Sequence, residues 1–128
     1  MESKLKKEAG GIIVPRVKLV GPKRAIFVDL ILDTGAAYTM ITWDTAGALG
    51  YDPASESGRL PIVTANGQIH VPLISLRKIS ITDISARNIA VICHDIPEMI
   101  EASGLLGLSF LKYFRTTIDY RSLRLKIS

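Results

Sequence analysis

The sequence predicts a mainly β fold, either a sandwich or a barrel, on three observations. Runs rich in Val, Ile and Leu recur along the 128 residues, and several alternate apolar with polar side chains. Turn signals containing glycine, proline or asparagine separate these runs roughly every ten residues. Only short segments have the pattern of a helix, so helices are expected to be a minor part of the fold.

The chain begins with a charged segment followed by a predicted hairpin. Residues 1–11 end in two glycines and are expected to form a flexible tail, which leaves residues 12–128 as a single domain. Ile12–Val20 and Arg24–Leu32 are predicted strands on either side of a Gly-Pro-Lys turn.

A short helix and a polar loop are predicted next. Thr42 is a good N-cap for a helix over Trp43–Leu49, and Gly50 stands where a helix commonly ends in the left-handed conformation. Asp52–Gly58 is rich in residues typical of loops.

The middle of the chain contains the strongest hairpin signal. Arg59–Ala65 and Gln68–Leu76 flank Asn66-Gly67, a dipeptide typical of tight β-turns. Ile79–Ile81 and Ile84–Ile92 are two further predicted strands.

Two short helical segments and a strand pair are predicted in the last third. Pro97–Ala102 has the length of one helical turn, and Leu108–Phe114 is apolar on most sides, which indicates a buried helix. A final strand pair surrounds Arg121-Ser122, and its second strand alternates apolar with basic residues.

Composition excludes several classes of protein. One cysteine, Cys93, cannot form an internal disulfide, and with only two histidines, His70 and His94, a multi-histidine metal site is not expected. The net charge of +4 is too mild to predict a nucleic-acid partner, and no apolar run is long enough to span a membrane. We therefore expect a cytoplasmic protein with no metal, nucleic acid or membrane partner.

The first candidate for chemistry is Asp33-Thr34-Gly35, at the end of an apolar run. A carboxylate in such surroundings is costly to bury, so it must find donors, share a proton or take part in a reaction. Thr34 offers a hydroxyl, and Gly35 permits a close approach of backbone N–H groups. Taken alone, the triplet is more often a simple turn, in which the aspartate bonds its own backbone.

A second segment makes the pattern more specific. Gly104-Leu105-Leu106-Gly107 is an apolar segment bounded by glycines just before a predicted helix, and the Asn66-Gly67 hairpin lies between it and the acidic triplet. This order and spacing, from Ile12 to Ile127, resembles that of the retropepsin-type aspartic proteases, especially their cellular and bacterial branch.

The resemblance implies a closed β-barrel with one or two short helices that functions as a homodimer with one catalytic aspartate per subunit. In this chain the implied catalytic residue is Asp33. The implied active-site support comprises Thr34, Gly35, Ala36, Leu105, Leu106 and Gly107. A flap that covers the substrate is implied at Ala65, Asn66 and Gly67.

The chemistry of such a site is consistent with the residues. Two carboxylates about 3 Å apart cannot both ionise easily, so they share one proton and act as base and acid on a water molecule. Asp29 lies four residues from Asp33, about 13 Å along a strand, and cannot be its partner. The sequence thus predicts a homodimeric aspartic endopeptidase that cleaves polypeptides without a cofactor.

Other functions remain open on the sequence. The main alternative is a catalytically silent module that uses the same dimeric fold to bind an extended peptide. A weaker one is an anion- or nucleic-acid-binding β domain that uses the net charge of +4. A thiol dyad is not supported, because Cys93 and His94 would point to opposite faces of a strand. A serine-hydrolase elbow around Ser109 is not supported, because its last glycine is replaced by Leu111.

Overall fold

The structure is a computed structural model that describes residues 1–8, 11–55 and 58–128. The described residues form eleven strands and two helices. The strands are β1 (Glu2–Lys4), β2 (Lys6–Glu8), β3 (Gly11–Val20), β4 (Ala25–Leu32), β5 (Thr39–Ile41), β6 (Arg59–Thr64), β7 (Gly67–Ile81), β8 (Ile84–Cys93), β9 (Gly104–Leu106), β10 (Thr116–Asp119) and β11 (Arg124–Ile127). The helices are α1 (Trp43–Leu49) and α2 (Leu108–Leu111).

Most strands belong to one sheet that returns on itself. Its order is β2-β3-β4-β9-β5-β8-β7-β6, and β3 also pairs with β7, so the strands from β3 to β7 in this order form a ring. Strands β2 and β6 lie outside the ring as edges, and β1, β11 and β10 form a separate sheet. The prediction of a mainly β fold is confirmed.

The main apolar core joins the ring to the separate sheet, since it includes Leu125 and Ile127 of β11. It contains apolar side chains from most strands of the ring and from both helices, among them Leu19, Leu30, Leu76, Val91 and Phe110, all fully buried. A second, smaller apolar cluster centres on Met40, Val71 and Ile92, on the side of the β6–β7 hairpin.

The insertion of β9 determines the position of the functional loops. β9 pairs in parallel with β4, with Leu32 opposite Leu106, and antiparallel with β5, with Met40 opposite Leu105. Gly104 has φ 154°, and a Cβ there would overlap the Met40 carbonyl oxygen, so glycine is needed for this close approach. The segment 33–38, between β4 and β5, therefore lies against the C-terminal end of β9.

Helix α1 has the predicted boundaries because both of its caps form. The Thr45 N–H donates to Thr42 Oγ1 at 3.3 Å, and Gly50 closes the helix with φ 101°. Helix α2 is shorter than the predicted Leu108–Phe114. It ends at Leu111, because the following amides turn back in tighter bonds, Tyr113 to Phe110 and Phe114 to Leu111.

The N-terminal residues are placed in the sheets, where the sequence predicted a tail. β1 pairs with β11 and β2 pairs with β3. Between them, Leu5 is 1% exposed and its N–H donates to the Leu123 carbonyl. One buried leucine among charged residues is not a strand pattern, which is why the sequence missed these edge strands. Residues 9 and 10 of the predicted tail lie outside the described residues.

Two other expectations differ in detail. The predicted strands Gln68–Leu76 and Ile79–Ile81 are parts of one continuous strand, β7, because its pairing with β8 resumes beyond the polar Arg77. Of the predicted loop Asp52–Gly58, residues 56 and 57 lie outside the described residues. Within the described ranges, neither helix is both long and apolar enough to cross a membrane.

Candidate active site

Asp33 follows the last residue of β4 and is half-buried. Its N–H donates to the Leu106 carbonyl at 3.0 Å, which extends the β4–β9 pairing by one step. The backbone of Asp33 is thus held by the sheet, while its side chain lies in the loop that follows.

The loop folds back onto the carboxylate. The Gly35 N–H donates to Asp33 Oδ1 at 3.0 Å, and the Ala36 N–H donates to the Asp33 carbonyl at 3.2 Å. The hydrogen bond from Gly35 fixes the direction of the Asp33 carboxylate. Thr34, which lies between Asp33 and Gly35, is exposed.

Gly107 allows this loop to pack against the start of α2. Gly107 is buried, and a Cβ there would lie 2.6 Å from the Tyr38 carbonyl oxygen and 2.8 Å from that of Ala36. The next amide, of Leu108, donates to the Ala36 carbonyl at 2.8 Å. Any side chain at Gly107 would force the two segments apart.

Two buried hydroxyls complete this region. The Thr39 N–H donates to Ser109 Oγ at 2.8 Å, and the Gly107 N–H donates to Thr39 Oγ1 at 3.1 Å. The sequence analysis gave Ser109 no role in an aspartic site. The only sequence signal for it is a hydroxyl at the start of a short apolar helix.

The implied flap is the β6–β7 hairpin, and its turn lies one residue earlier than the Asn66-Gly67 signal suggests. Thr64 pairs with Gly67, so Ala65 and Asn66 are the turn residues. Gly67 has φ 112° as the first residue of β7, which favours glycine there. The tip is exposed, and its side-chain bonds are local: Thr64 Oγ1 donates to the Gly67 carbonyl and accepts from the Asn66 N–H.

The hairpin shares the second apolar cluster with Tyr38 of the segment 33–38 and with Leu105 of β9. The half-buried members of that cluster are Tyr38, Leu60, Ile62, Ile69, Leu73, Ile96 and Leu105. The structure joins Asp33, Gly35, Ala36 and Leu106 by hydrogen bonds, and Gly107 packs closely against the Ala36 carbonyl. Leu105 is linked to the hairpin through apolar contacts in the cluster.

Two other aspartates, Asp29 and Asp119, have hydrogen-bond donors of their own. Asp29 receives Lys6 Nζ at 2.8 Å and the Arg16 N–H at 3.1 Å. Partial burial raises the pKa of Asp29. The two donors lower the pKa by more than burial raises it, so the net shift is downward. The backbone N–H of Ser122, its side chain and the N–H of Arg121 lower the pKa of Asp119.

Residues 93–95, which include Cys93 and His94, have structural contacts. Cys93 is fully buried, the His94 N–H donates to the Ile41 carbonyl, and the Trp43 N–H donates to Asp95 Oδ1 at 3.1 Å. Across the described part of the chain, no three His, Cys, Asp or Glu side chains are grouped to hold a metal ion.

Two cavities of the chain lie away from Asp33. One of about 420 Å³ is lined by terminal residues, including Met1 and Arg115, and one of about 440 Å³ lies between Thr42 and Ile100.

Known proteins are similar to this chain over the region that contains Asp33 and Gly107. A family model described as "gag-polyprotein putative aspartyl protease" matches residues 25–113. An "Uncharacterized protein in cobV 5'region" from Sinorhizobium sp. is 33% identical over 84 residues, which are 66% of this chain and 35% of that protein. The matched part of this chain therefore spans about a third of the length of that curated relative.

A solved structure is similar over almost the whole chain. The crystal structure of a retropepsin-like aspartic protease from Rickettsia conorii covers 99% of this chain and 89% of its own, with a TM-score of 0.72 and 22% identity. This likeness shows that the chain has the retropepsin-like fold.

Proposed function

The chain belongs to the aspartyl protease family matched over residues 25–113, and we propose that it is an active aspartic endopeptidase whose site forms between two copies. The observation that carries the proposal is the half-buried Asp33 carboxylate with the Gly35 N–H on one oxygen. This carboxylate is held at the end of β9, within the matched residues, and its open side is left for a partner and a substrate.

A second copy is needed because the chain has one Asp-Thr-Gly triplet. Asp29 and Asp119 are engaged by donors of their own, which leaves a symmetry mate as the natural source of a second carboxylate. A two-fold dimer is the commonest oligomer and would place two copies of Asp33 at its axis. Thr34, exposed on the same loop, would contact the partner loop there.

The proposed reaction begins when the two carboxyl groups share one proton. The ionised carboxylate takes a proton from a water molecule, and the water oxygen bonds to the peptide carbonyl carbon. The protonated carboxyl gives its proton to the carbonyl oxygen, which produces a tetrahedral diol.

In the second step, the carboxyl that took the proton from water gives it to the amide nitrogen, and the C–N bond breaks. The diol returns a proton to the other carboxylate as the carbonyl re-forms. The products are a carboxyl and an amine terminus, and the pair again holds one proton. Neither a metal ion nor a covalent intermediate is required.

The hairpin is proposed to close over the substrate. Its exposed tip at Ala65, Asn66 and Gly67 makes local turn bonds, while the Ile62–Ile69 pair, two steps from the turn, shares an apolar cluster with Leu105. A polypeptide bound between the tip and the Asp33 loop would contact apolar surface from both sides.

The direct test is to replace Asp33 by Asn. We expect the Asp33→Asn variant to fold as the wild type does and to lose cleavage of an unfolded protein substrate by about a thousandfold or more. Asp83→Asn is the matched control, because Asp83 is an exposed aspartate in the β7–β8 turn. Wild-type rates in Asp33→Asn would refute the assignment of the catalytic residue.

The alternative is a peptide-binding module without activity. It is favoured by one observation: β6 is the last strand of its sheet, so its outer backbone edge is available for an added strand. On that reading the wild type binds extended peptides and leaves them intact, and Asp33→Asn binds them equally well.

A further inference from the structure

Two buried side chains connect the Asp33 loop with helix α2. Thr39 is 0% exposed and Ser109 is 6% exposed. Buried hydroxyls are retained where they satisfy other polar groups. Both do so here, since each accepts a hydrogen bond from a backbone N–H.

The two hydroxyls accept hydrogen bonds just beyond the end of the β5–β9 pairing. The β5–β9 ladder ends with Met40 opposite Leu105. Beyond this pair, Gly107 donates to Thr39 Oγ1 at 3.1 Å, and Thr39 donates its own N–H to Ser109 Oγ at 2.8 Å. Side-chain oxygens thus replace the carbonyl acceptors that a longer ladder would have supplied.

The same turn also holds the catalytic segment. The Asp33 N–H donates to the Leu106 carbonyl at 3.0 Å, and the Leu108 N–H donates to the Ala36 carbonyl at 2.8 Å. Gly107 lies between these two contacts. A displacement of Gly107 therefore moves both attachment points of the Asp33 loop.

We propose that Thr39 and Ser109 are positioning residues that fix the Asp33 carboxylate by holding the Gly107 turn against the loop. This inference rests on the proposed function. Neither side chain has a hydrogen bond to Asp33, so both act through backbone. Small displacements of a catalytic group cost large factors in rate, because the reacting geometry is lost while substrate contacts elsewhere remain.

The test uses an isosteric pair at Thr39. Thr39→Val keeps the shape but leaves the Gly107 N–H without its acceptor, whereas Thr39→Ser keeps the hydroxyl. We expect Thr39→Val and Ser109→Ala each to lower kcat by about tenfold or more with KM within about twofold. Thr39→Ser should restore kcat to within about threefold of the wild type.

A variant in the core separates positioning from general stability. Ile89 is 1% exposed on β8 and has no part in this network. Ile89→Val should lower the melting temperature and leave kcat unchanged. The proposal is overturned if Thr39→Val keeps the wild-type kcat. It is also overturned if Ile89→Val, at the same loss of melting temperature as Thr39→Val, lowers kcat by the same factor.

A second measurement works without catalysis. If the wild type shows no cleavage that depends on Asp33, the proposed function fails, and the amide NMR signals of Gly35 and Ala36 then decide on the positioning role. We expect Ser109→Ala to shift both signals. Shifts confined to residues next to Ser109 and Thr39 would overturn the proposal.

Discussion

The loop that carries Asp33 and the tip of the β6–β7 hairpin differ in how they are held. Backbone and hydroxyl hydrogen bonds join residues 33–39 to residues 106–109, and Thr39 at the end of the loop is fully buried. The hairpin tip is held by its own turn bonds, and Val63 beside it is 86% exposed.

This difference matches the two tasks of the proposed protease. A carboxylate that must meet a second carboxylate and a water molecule needs a fixed geometry, which packed and fully bonded backbone provides. A segment that must admit a polypeptide needs few contacts to break, which local turn bonds provide. The following predictions test whether the two regions are as different as this account requires.

The largest effect is expected from a matched pair of glycine substitutions. Gly107→Ala places a Cβ 2.6 Å from the Tyr38 carbonyl oxygen, so it should destabilise the fold by about 3 kcal/mol. Gly67→Ala meets no atom within 4 Å and should cost only about 1 kcal/mol for its positive φ. Urea unfolding of both variants measures the difference, and equal losses would contradict the contrast between the two regions.

A smaller effect is expected at Ile69, two residues beyond Gly67 in the hairpin. Ile69 is half-buried in the cluster with Leu105, so Ile69→Ala should lower stability by about 1–2 kcal/mol, less than at a fully buried site. It should also raise KM about fivefold with little change in kcat, because it weakens binding and leaves the Asp33 loop intact. Val63→Ala is the exposed control, and a fall in kcat rather than a rise in KM would count against the assigned flap.

The smallest effect is expected at Asp29, which lies on β4 four residues before Asp33. Burial raises the pKa of Asp29, but Lys6 and Arg16 lower it by more. The charged Asp29 therefore stabilises the fold, and this contribution to the free energy of unfolding is complete above the unfolded-state pKa of about 3.9. That contribution is lost as the pH falls through the folded-state pKa. Because this ion pair is partly exposed, Asp29→Asn should cost less than about 1 kcal/mol at pH 7, with activity unchanged.

Unfolding of the wild type and Asp29→Asn from pH 7 down to pH 2 measures this contribution. The difference in free energy of unfolding should shrink on acidification. A difference that grows as the pH falls would show that the sign of the linkage is wrong.

The sequence predicted best what local chemistry determines. The helix at Trp43–Leu49 has both predicted caps, and the hairpin around Asn66 forms with its turn displaced by one residue. The order of Asp33 and Gly107 also identified the family correctly. In each case a few neighbouring residues carry the signal.

Contacts between distant residues could not be predicted in the same way. β9 has three residues, too few for a pairing preference, and it inserts between β4 and β5 because Gly104 and Gly107 permit close backbone approach. The Thr39–Ser109 bond joins residues 70 positions apart. Leu5 is buried in a charged segment, so its pattern predicts an exposed tail.

Subunit mixing tests the central claim most directly, namely that two chains each supply one catalytic carboxylate. Wild type and Asp33→Asn are unfolded, mixed in equal amounts and refolded together, and the cleavage rate per total chain is measured. A shared site predicts about a quarter of the wild-type rate, because only dimers with two wild-type chains are active. A rate of about half would mean that each chain works alone, and it would contradict the account.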